Sequence, residues 1–321
     1  MTELSRREFG KVVVAGVPLA AAVSSFTLAA AGTVTLGVAT SSFHDLPRVP
    51  GRDNVDDVVR ALKAIRPARV ELALATIEPA PPNTSPTVGG TPAYPQLIVL
   101  TPQQIAFVKA EYRRAIRRWR TDGSLYAFEK ARETFGSAGL TLQACAADYD
   151  DSSTDEEIEA TFRQVRALGV KTVSSPMTMA MAARLAPIAE RHGLSVAIHN
   201  QVDGNAAGLI ATPDLKKALA LSPALGLKLD VGNLTASNCD AVATLREHQP
   251  RIAYVLVKDR LRNGGASQHF GEGDTPIAAV LNVLKTSAPS IPAIVEYDYV
   301  GLHSSVDEVA ASIAYLQKIS T

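Results

Sequence analysis

Eight short apolar runs, rich in β-branched residues and separated by segments of helical spacing, constrain this chain more than any other feature. They are "TVTLGVA" (33–39), "ARVELAL" (68–74), "LTLQACA" (140–146), "VKTVSS" (170–175), "LSVAIH" (194–199), "LGLKLDV" (225–231), "IAYVLV" (252–257) and "IPAIVEY" (291–297). None alternates strictly between polar and apolar, which suits strands covered on both faces, as in parallel sheets. Between them, "NVDDVVRALKAI" places Val55, Val58, Val59, Leu62 and Ile65 on one stripe, the expected core face of a helix. "STDEEIEATFRQVRAL" opens on a Ser/Thr cap with early acids, and "SSVDEVAASIAYLQKI" repeats that start near the C-terminus. Strand and helix alternating eight times predict a single α/β domain over residues 32–321, a (β/α)8 barrel.

One segment exceeds the minimal repeat. Residues 77–137 form a long insertion after the second run. Its first half, rich in Pro, Gly, Thr and Asn, reads as an ordered excursion or lid. Its second half is helical, and the basic stretch "EYRRAIRRWR", with Arg113, Arg114, Arg117, Arg118 and Arg120, reads as a solvated helix face. Trp119 is a candidate to cover the barrel mouth.

The N-terminus stands apart from the fold. "SRREFGK" (5–11) precedes the uncharged run "VVVAGVPLAAAVSSFTLAAAG", a charged region, apolar core and small-residue end that read as an export signal over residues 1–31. The paired Arg6 and Arg7 resemble a twin-arginine signal, which implies the export machinery as a partner and a periplasmic or secreted mature protein. Retained, the run is about long enough to anchor the chain in a membrane. The 321-residue chain has no formal net charge, and loss of Arg6, Arg7 and Lys11 with Glu3 and Glu8 leaves about −1, which argues against a nucleic-acid partner. Cys145 and Cys239 permit at most one disulfide, and both read as packed thiols.

In such a barrel the chemistry sits at the C-terminal ends of the strands. The second run carries Glu71 within it. The fifth ends in His199 and Asn200, the sixth in Asp230 and Asn233, the seventh in Lys258 and Asp259, and the eighth in Glu296 and Asp298. Charges flanked by apolar residues, as in "LKLDVGN" and "AIVEYDY", are costly without a partner or a task. Asp230 as a helix cap or a partner of Lys258, and Glu296 as another partner of Lys258, are the structural alternatives. The chemistry that needs such a set is proton movement beside a carbonyl, with a carboxylate as base and a cation on the developing enediolate. Two carboxylates and an imidazole also suit Mn²⁺, Mg²⁺ or Zn²⁺. The "GEGD" turn (271–274) brings glycine amides together as an anion cradle does, but reads as structural.

At these residues the chain resembles the sugar phosphate isomerase/epimerase proteins of the xylose-isomerase-like TIM barrel superfamily, in particular an exported bacterial branch. The resemblance rests on "VELALATIEPA" (70–80), "TDEEIEATFRQVRALGVKTV" (154–173), "RLAPIAERHGLSVAIHN" (184–200), "LKLDVGNLTASNCD" (227–240), "VKDRLRNGG" (257–265), "FGEGDTPI" (270–277) and "IVEYDY" (294–299). It implies a divalent metal held by strand-end residues, with Asp230, Glu296 and His199 matching three of the ligand positions. The chain departs from the pattern where relatives carry histidines: Gln201, Asn233 and Leu256 stand there, and Ser174–Ser175 stand where other branches place a glutamate.

Three functions follow as expectations. The first is an exported sugar isomerase or epimerase, with Glu296 as base or ligand, Asp230 as ligand, His199 as ligand or proton donor, Lys258 on the enediolate and Glu71 as a further candidate. The second is a lyase or hydrolase acting on keto-glycosides. The third is a metal-free, non-catalytic carbohydrate-binding barrel. A small sugar or glycoside is the implied ligand, and self-association into a homo-oligomer is compatible with all three.

Overall fold

A computed structural model of the protein describes residues 33–320, except 86, 92, 93, 151 and 206, and without the side chains of 87–98. The expected export signal lies outside the described residues. Among those described, no helix is long and apolar enough to cross a membrane.

All eight runs become strands of one closed parallel barrel, as the sequence predicts. In chain order the strands are β1 (Leu36–Ala39), β2 (Arg69–Ala73), β3 (Thr87–Thr91), β4 (Tyr94–Ile98), β5 (Leu142–Ala146), β6 (Thr172–Ser175), β7 (Ser195–His199), β8 (Leu225–Asp230), β9 (Ile252–Val257), β10 (Asp259–Arg260), β11 (Ser267–Gln268) and β12 (Ala293–Val295). The barrel order is β1-β12-β9-β8-β7-β6-β5-β2, closing on itself. β3 and β4 form an antiparallel hairpin in the insertion, and β10 and β11 a second small hairpin.

The helices between barrel strands pack on the outside through apolar faces. Val55, Val58, Val59, Leu62 and Ile65 of helix Val55–Ile65 are all buried, as their spacing predicts. Helix Asp155–Ala167 starts on a capping box in which Thr154 and Glu157 satisfy each other's backbone amides. Helix Met179–His192 is capped by Thr178 and stops at Gly193, which takes the left-handed conformation (φ 63°).

The insertion supplies helices Pro102–Asp122 and Tyr126–Ser137. Of its arginines Arg114 and Arg118 are exposed, as expected, but Arg113, Arg117 and Arg120 turn inward to buried acids. Arg113 Nη2 and Arg117 Nε lie 3.1 and 3.0 Å from Glu157, and Arg120 pairs with Glu78 through two bonds of 2.6 and 3.1 Å. Arg114 pairs with its neighbour Glu111 at the surface. The buried side of this helix is thus mainly polar, and Glu157 both caps one helix and anchors another. Trp119 packs on Phe128, ring centroids 5.6 Å apart, among the helices and away from the strand-end cavity described below. Cys145 is buried and Cys239 half-buried, both as free thiols.

Inside the barrel the strands contribute a second, small apolar cluster of Ala39, Ala144, Ala197, Tyr254, Leu256 and Ile294. Three of these are alanines. The space they leave admits a charged layer, and that layer positions the site.

Candidate active site

β2 and β8 lie four places apart either way round the barrel, so they face one another across its interior. From β2, Glu71 accepts bonds from Lys228 Nζ on β8 (2.9 Å), from Ser174 Oγ on β6 (2.6 Å) and from the Tyr254 hydroxyl on β9. Glu71 and Lys228 are both almost wholly buried. Burial alone would strip the lysine of its proton, but Glu71, Glu296 and the hydrogen bond to Glu71 push its pKa above the ordinary value, so Lys228 is an ammonium. Burial, the Glu71 charge and the hydrogen bond to it push the Tyr254 hydroxyl well above its usual range, so it donates as a neutral phenol.

One layer higher, the strand ends converge. Lys258 Nζ lies 2.7 Å from Glu296 Oε2, 2.9 Å from Asp298 Oδ2 and 3.2 Å from Asp230 Oδ2. His199 Nε2 lies 3.1 Å from the same Asp230 oxygen, and Ser41 Oγ donates to Glu296 Oε1 at 2.8 Å. The structural alternatives for Asp230 and Glu296 therefore both hold: Asp230 Oδ1 caps the next helix through the Asn233 amide (2.9 Å) while its other oxygen meets Lys258. Asn200 locks this corner by donating to the Asp230 carbonyl (3.1 Å) and accepting from the Asp230 amide (2.8 Å).

The charges fix protonation. Burial would raise Glu296 and Asp230, yet Lys258 together with Lys228 holds Glu296 far below the carboxylate range, and Lys258 with His199 holds Asp230 below it. Burial and the Lys228 charge push the His199 imidazole below its ordinary 6.5 against the pull of Asp230. His199 is therefore neutral at pH 7. Because Nε2 faces a carboxylate it carries the proton, which leaves Nδ1 as an acceptor.

A cavity of about 350 Å³ opens at this end of the barrel, within the range of small-molecule sites. His199, Glu296 and Lys228 line it, with Ser41, Ser174, Ser175 and Gln201, and with Glu78, Arg120 and Asp148 at the insertion side. Of the residues singled out in the sequence, His199, Asp230, Lys258 and Glu296 come together. Asp230 and Lys258 stand behind the cavity wall, and Glu71 lies beneath it as the counter-ion of Lys228. Lys228 was missed. It sits two residues before Asp230 in "LKLDVGN", a spacing that puts both on the same face of a strand.

The three departures from the resemblance differ in effect. Gln201 faces the cavity. Asn233 is a joint, donating to the Asn200 carbonyl and accepting from Arg260 Nη1 (2.6 Å). Leu256 pairs in register with Asp230 and points into the apolar cluster. The donor set does not fit a resident divalent metal, because the Lys258 ammonium occupies the point on which Asp230 and Glu296 converge. Among the described residues no group of three His, Cys, Asp or Glu side chains takes metal-binding geometry.

The glycine turn proves structural. Its amides at Gly271, Gly273 and Thr275 donate to the Asp259 carboxylate at 2.8, 3.0 and 3.1 Å, so the protein's own anion fills the cradle. A Cβ at Gly273 would stand 2.2 Å from Asp259 Oδ1. Gly273→Ala is therefore expected to destabilise the chain by about 2 kcal/mol or more, read as a lowered midpoint in urea; an unchanged midpoint would contradict the cage.

Comparison with known proteins agrees with this architecture. Residues 175–319 match the family model described as a xylose isomerase-like TIM barrel, and the closed eight-stranded barrel is consistent with that description. No curated protein matches the chain. Among solved structures, a sugar phosphate isomerase/epimerase from Parabacteroides distasonis superposes with TM-score 0.56 at 15% identity, covering 92% of this chain and 98% of that one. An L-ribulose 3-epimerase gives 0.59 at 12% identity, over 89% and 94%. An IolI protein with a binding zinc atom gives 0.59 at 15%, over 89% and 98%. At these identities the likeness is one of fold.

Proposed function

We propose that the protein is an isomerase- or epimerase-type enzyme that moves a proton at the carbon beside the carbonyl of an unphosphorylated sugar. The observation that carries this reading is the placement of a neutral imidazole, a carboxylate and a buried ammonium around one strand-end cavity. His199, oriented by Asp230, takes the proton from carbon through Nδ1. The electron pair moves onto the carbonyl oxygen, and Lys228 stabilises the enediolate. An ammonium has three donors; Lys228 has Glu71 as its protein partner and faces the cavity with the remainder. Lys258 lies within 3.2 Å of three carboxylates and stands outside the cavity lining. Glu296, its proton affinity depressed by two lysines, is a weak base and serves as an acceptor for a sugar hydroxyl. Return of the proton to the neighbouring carbon, with the hydroxyl proton of the first carbon passing to the former carbonyl oxygen, gives isomerisation; protonation of the first carbon on its other face by water, with the proton on His199 released to solvent, gives epimerisation.

The charge balance supports a neutral substrate. Arg120 is bound to Glu78 through two hydrogen bonds and lies 3.6 Å from Glu157, and the glycine amides are taken by Asp259, so neither offers a phosphate a cradle. Incubation with unphosphorylated pentoses and hexoses, and separately with their phosphate esters, tests the reading. Conversion of a neutral sugar at unchanged mass is expected. Loss of water or splitting of the substrate would replace isomerisation by elimination. Calorimetric binding without turnover would replace it by a carbohydrate-binding barrel.

A further inference from the structure

The cation at the strand ends is part of the chain. Three carboxylates surround Lys258 Nζ, at 2.7 Å (Glu296), 2.9 Å (Asp298) and 3.2 Å (Asp230), and His199 Nε2 lies 3.1 Å from the Asp230 oxygen nearest the ammonium. Carboxylates with an imidazole are the donor set that takes Mn²⁺, Co²⁺ or Zn²⁺. Here the ammonium donates to Asp298 and lies within 3.2 Å of the other two carboxylates, so it occupies the position an ion would take. The stem that delivers the ammonium is closely seated: a Cβ at Gly232 would stand 3.0 Å from Lys258 Cγ and 3.0 Å from its carbonyl oxygen.

We infer that Lys258 is a tethered substitute for a divalent ion, a cation built into the centre of a ligand cage that the chain still assembles. The ammonium holds the three carboxylates together without metal, and the wild-type protein has no place for a divalent ion among these residues. Removal of the ammonium frees one. Metal–oxygen distances of about 2.0–2.2 Å then require the carboxylates to close in by about 1 Å or less, within side-chain freedom. The inference concerns the cage alone and does not depend on which sugar is turned over.

The test is titration of the purified full chain with Co²⁺, followed by visible absorption and by elemental analysis after desalting. Wild type is expected to retain no stoichiometric Co²⁺. Lys258→Ala is expected to retain one equivalent and to melt at a higher temperature with Co²⁺ than without. Adding Asp230→Asn or His199→Ala to that variant should weaken retention at least tenfold. Lys258→Ala/Asp298→Asn, with one carboxylate fewer to compensate, covers the event that the single variant folds poorly without metal. One equivalent bound by wild type and lost in Asp230→Asn would overturn the inference. So would the absence of Co²⁺ uptake in both lysine-free variants, or uptake that survives loss of Asp230 and His199.

Discussion

Replacing Lys228 by Met is expected to cost about 3–5 kcal/mol of folding stability, the usual penalty for removing one partner of a buried ion pair. Glu71 is 1% exposed and would keep the Ser174 and Tyr254 hydroxyls as donors, but with no countercharge at 2.9 Å. Lys228→Met/Glu71→Gln removes the stranded charge and leaves a neutral amide facing both hydroxyls. Most of the lost stability should return, less about 1–3 kcal/mol for the amide hydrogens left unpaired. Activity should not return with it. If Lys228 holds the enediolate, both variants lose about 10²–10³-fold in kcat, the scale of one oxyanion donor. Urea denaturation beside steady-state kinetics separates the two effects. A double variant that is both stable and fully active would reduce Lys228 to a structural counter-ion. The folded-state pKa of Lys228 is raised, so the pair stabilises the fold below the ordinary lysine value of 10.5 and its contribution fades only as pH rises through the folded value.

His199→Asn is expected to lower kcat by about 10²–10⁴-fold, the contribution of a positioned general base, with little effect on stability. The asparagine amide can still donate to Asp230, so the variant removes the acceptor nitrogen without emptying the corner. The wild-type pH profile should carry the same signature. The imidazole is held below 6.5 in the folded chain, so the neutral base persists as pH falls past 6.5 and the acidic limb lies lower still. Stability follows the same sign. The unfolded chain protonates this histidine first, so its contribution is complete above 6.5 and declines as pH falls from there towards the folded value. An acidic limb above pH 7 would contradict the account, as would its persistence in His199→Asn.

Sequence pattern resolves the barrel and much of the site because both depend on local order. Each apolar run became a strand, and polar residues at the run ends arrived at one face because parallel strands all end there. His199, Asp230, Lys258 and Glu296 were legible for that reason. Lys228 was not, since the partner that justifies a lysine inside a buried strand is Glu71, 157 positions away. Only closure of the barrel sets β2 opposite β8. The insertion misled for a related reason. A helix carrying Arg113, Arg117 and Arg120 reads as solvated when the acids that receive it, Glu78 and Glu157, lie on other elements. The roles of the carboxylates were likewise beyond sequence. Glu296 resembles a base until two lysines are found beside it, and only their positions make its proton affinity low.

The most direct test of the central claim is solvent exchange at carbon. The protein is incubated in D₂O with each unphosphorylated sugar that it binds, and deuterium at the carbon beside the carbonyl is followed by proton NMR. The account predicts wash-in at that carbon for wild type and its near-complete loss in His199→Asn. A sugar that binds in the cavity and turns over without exchanging that hydrogen, or exchange that is unchanged without His199, would contradict it.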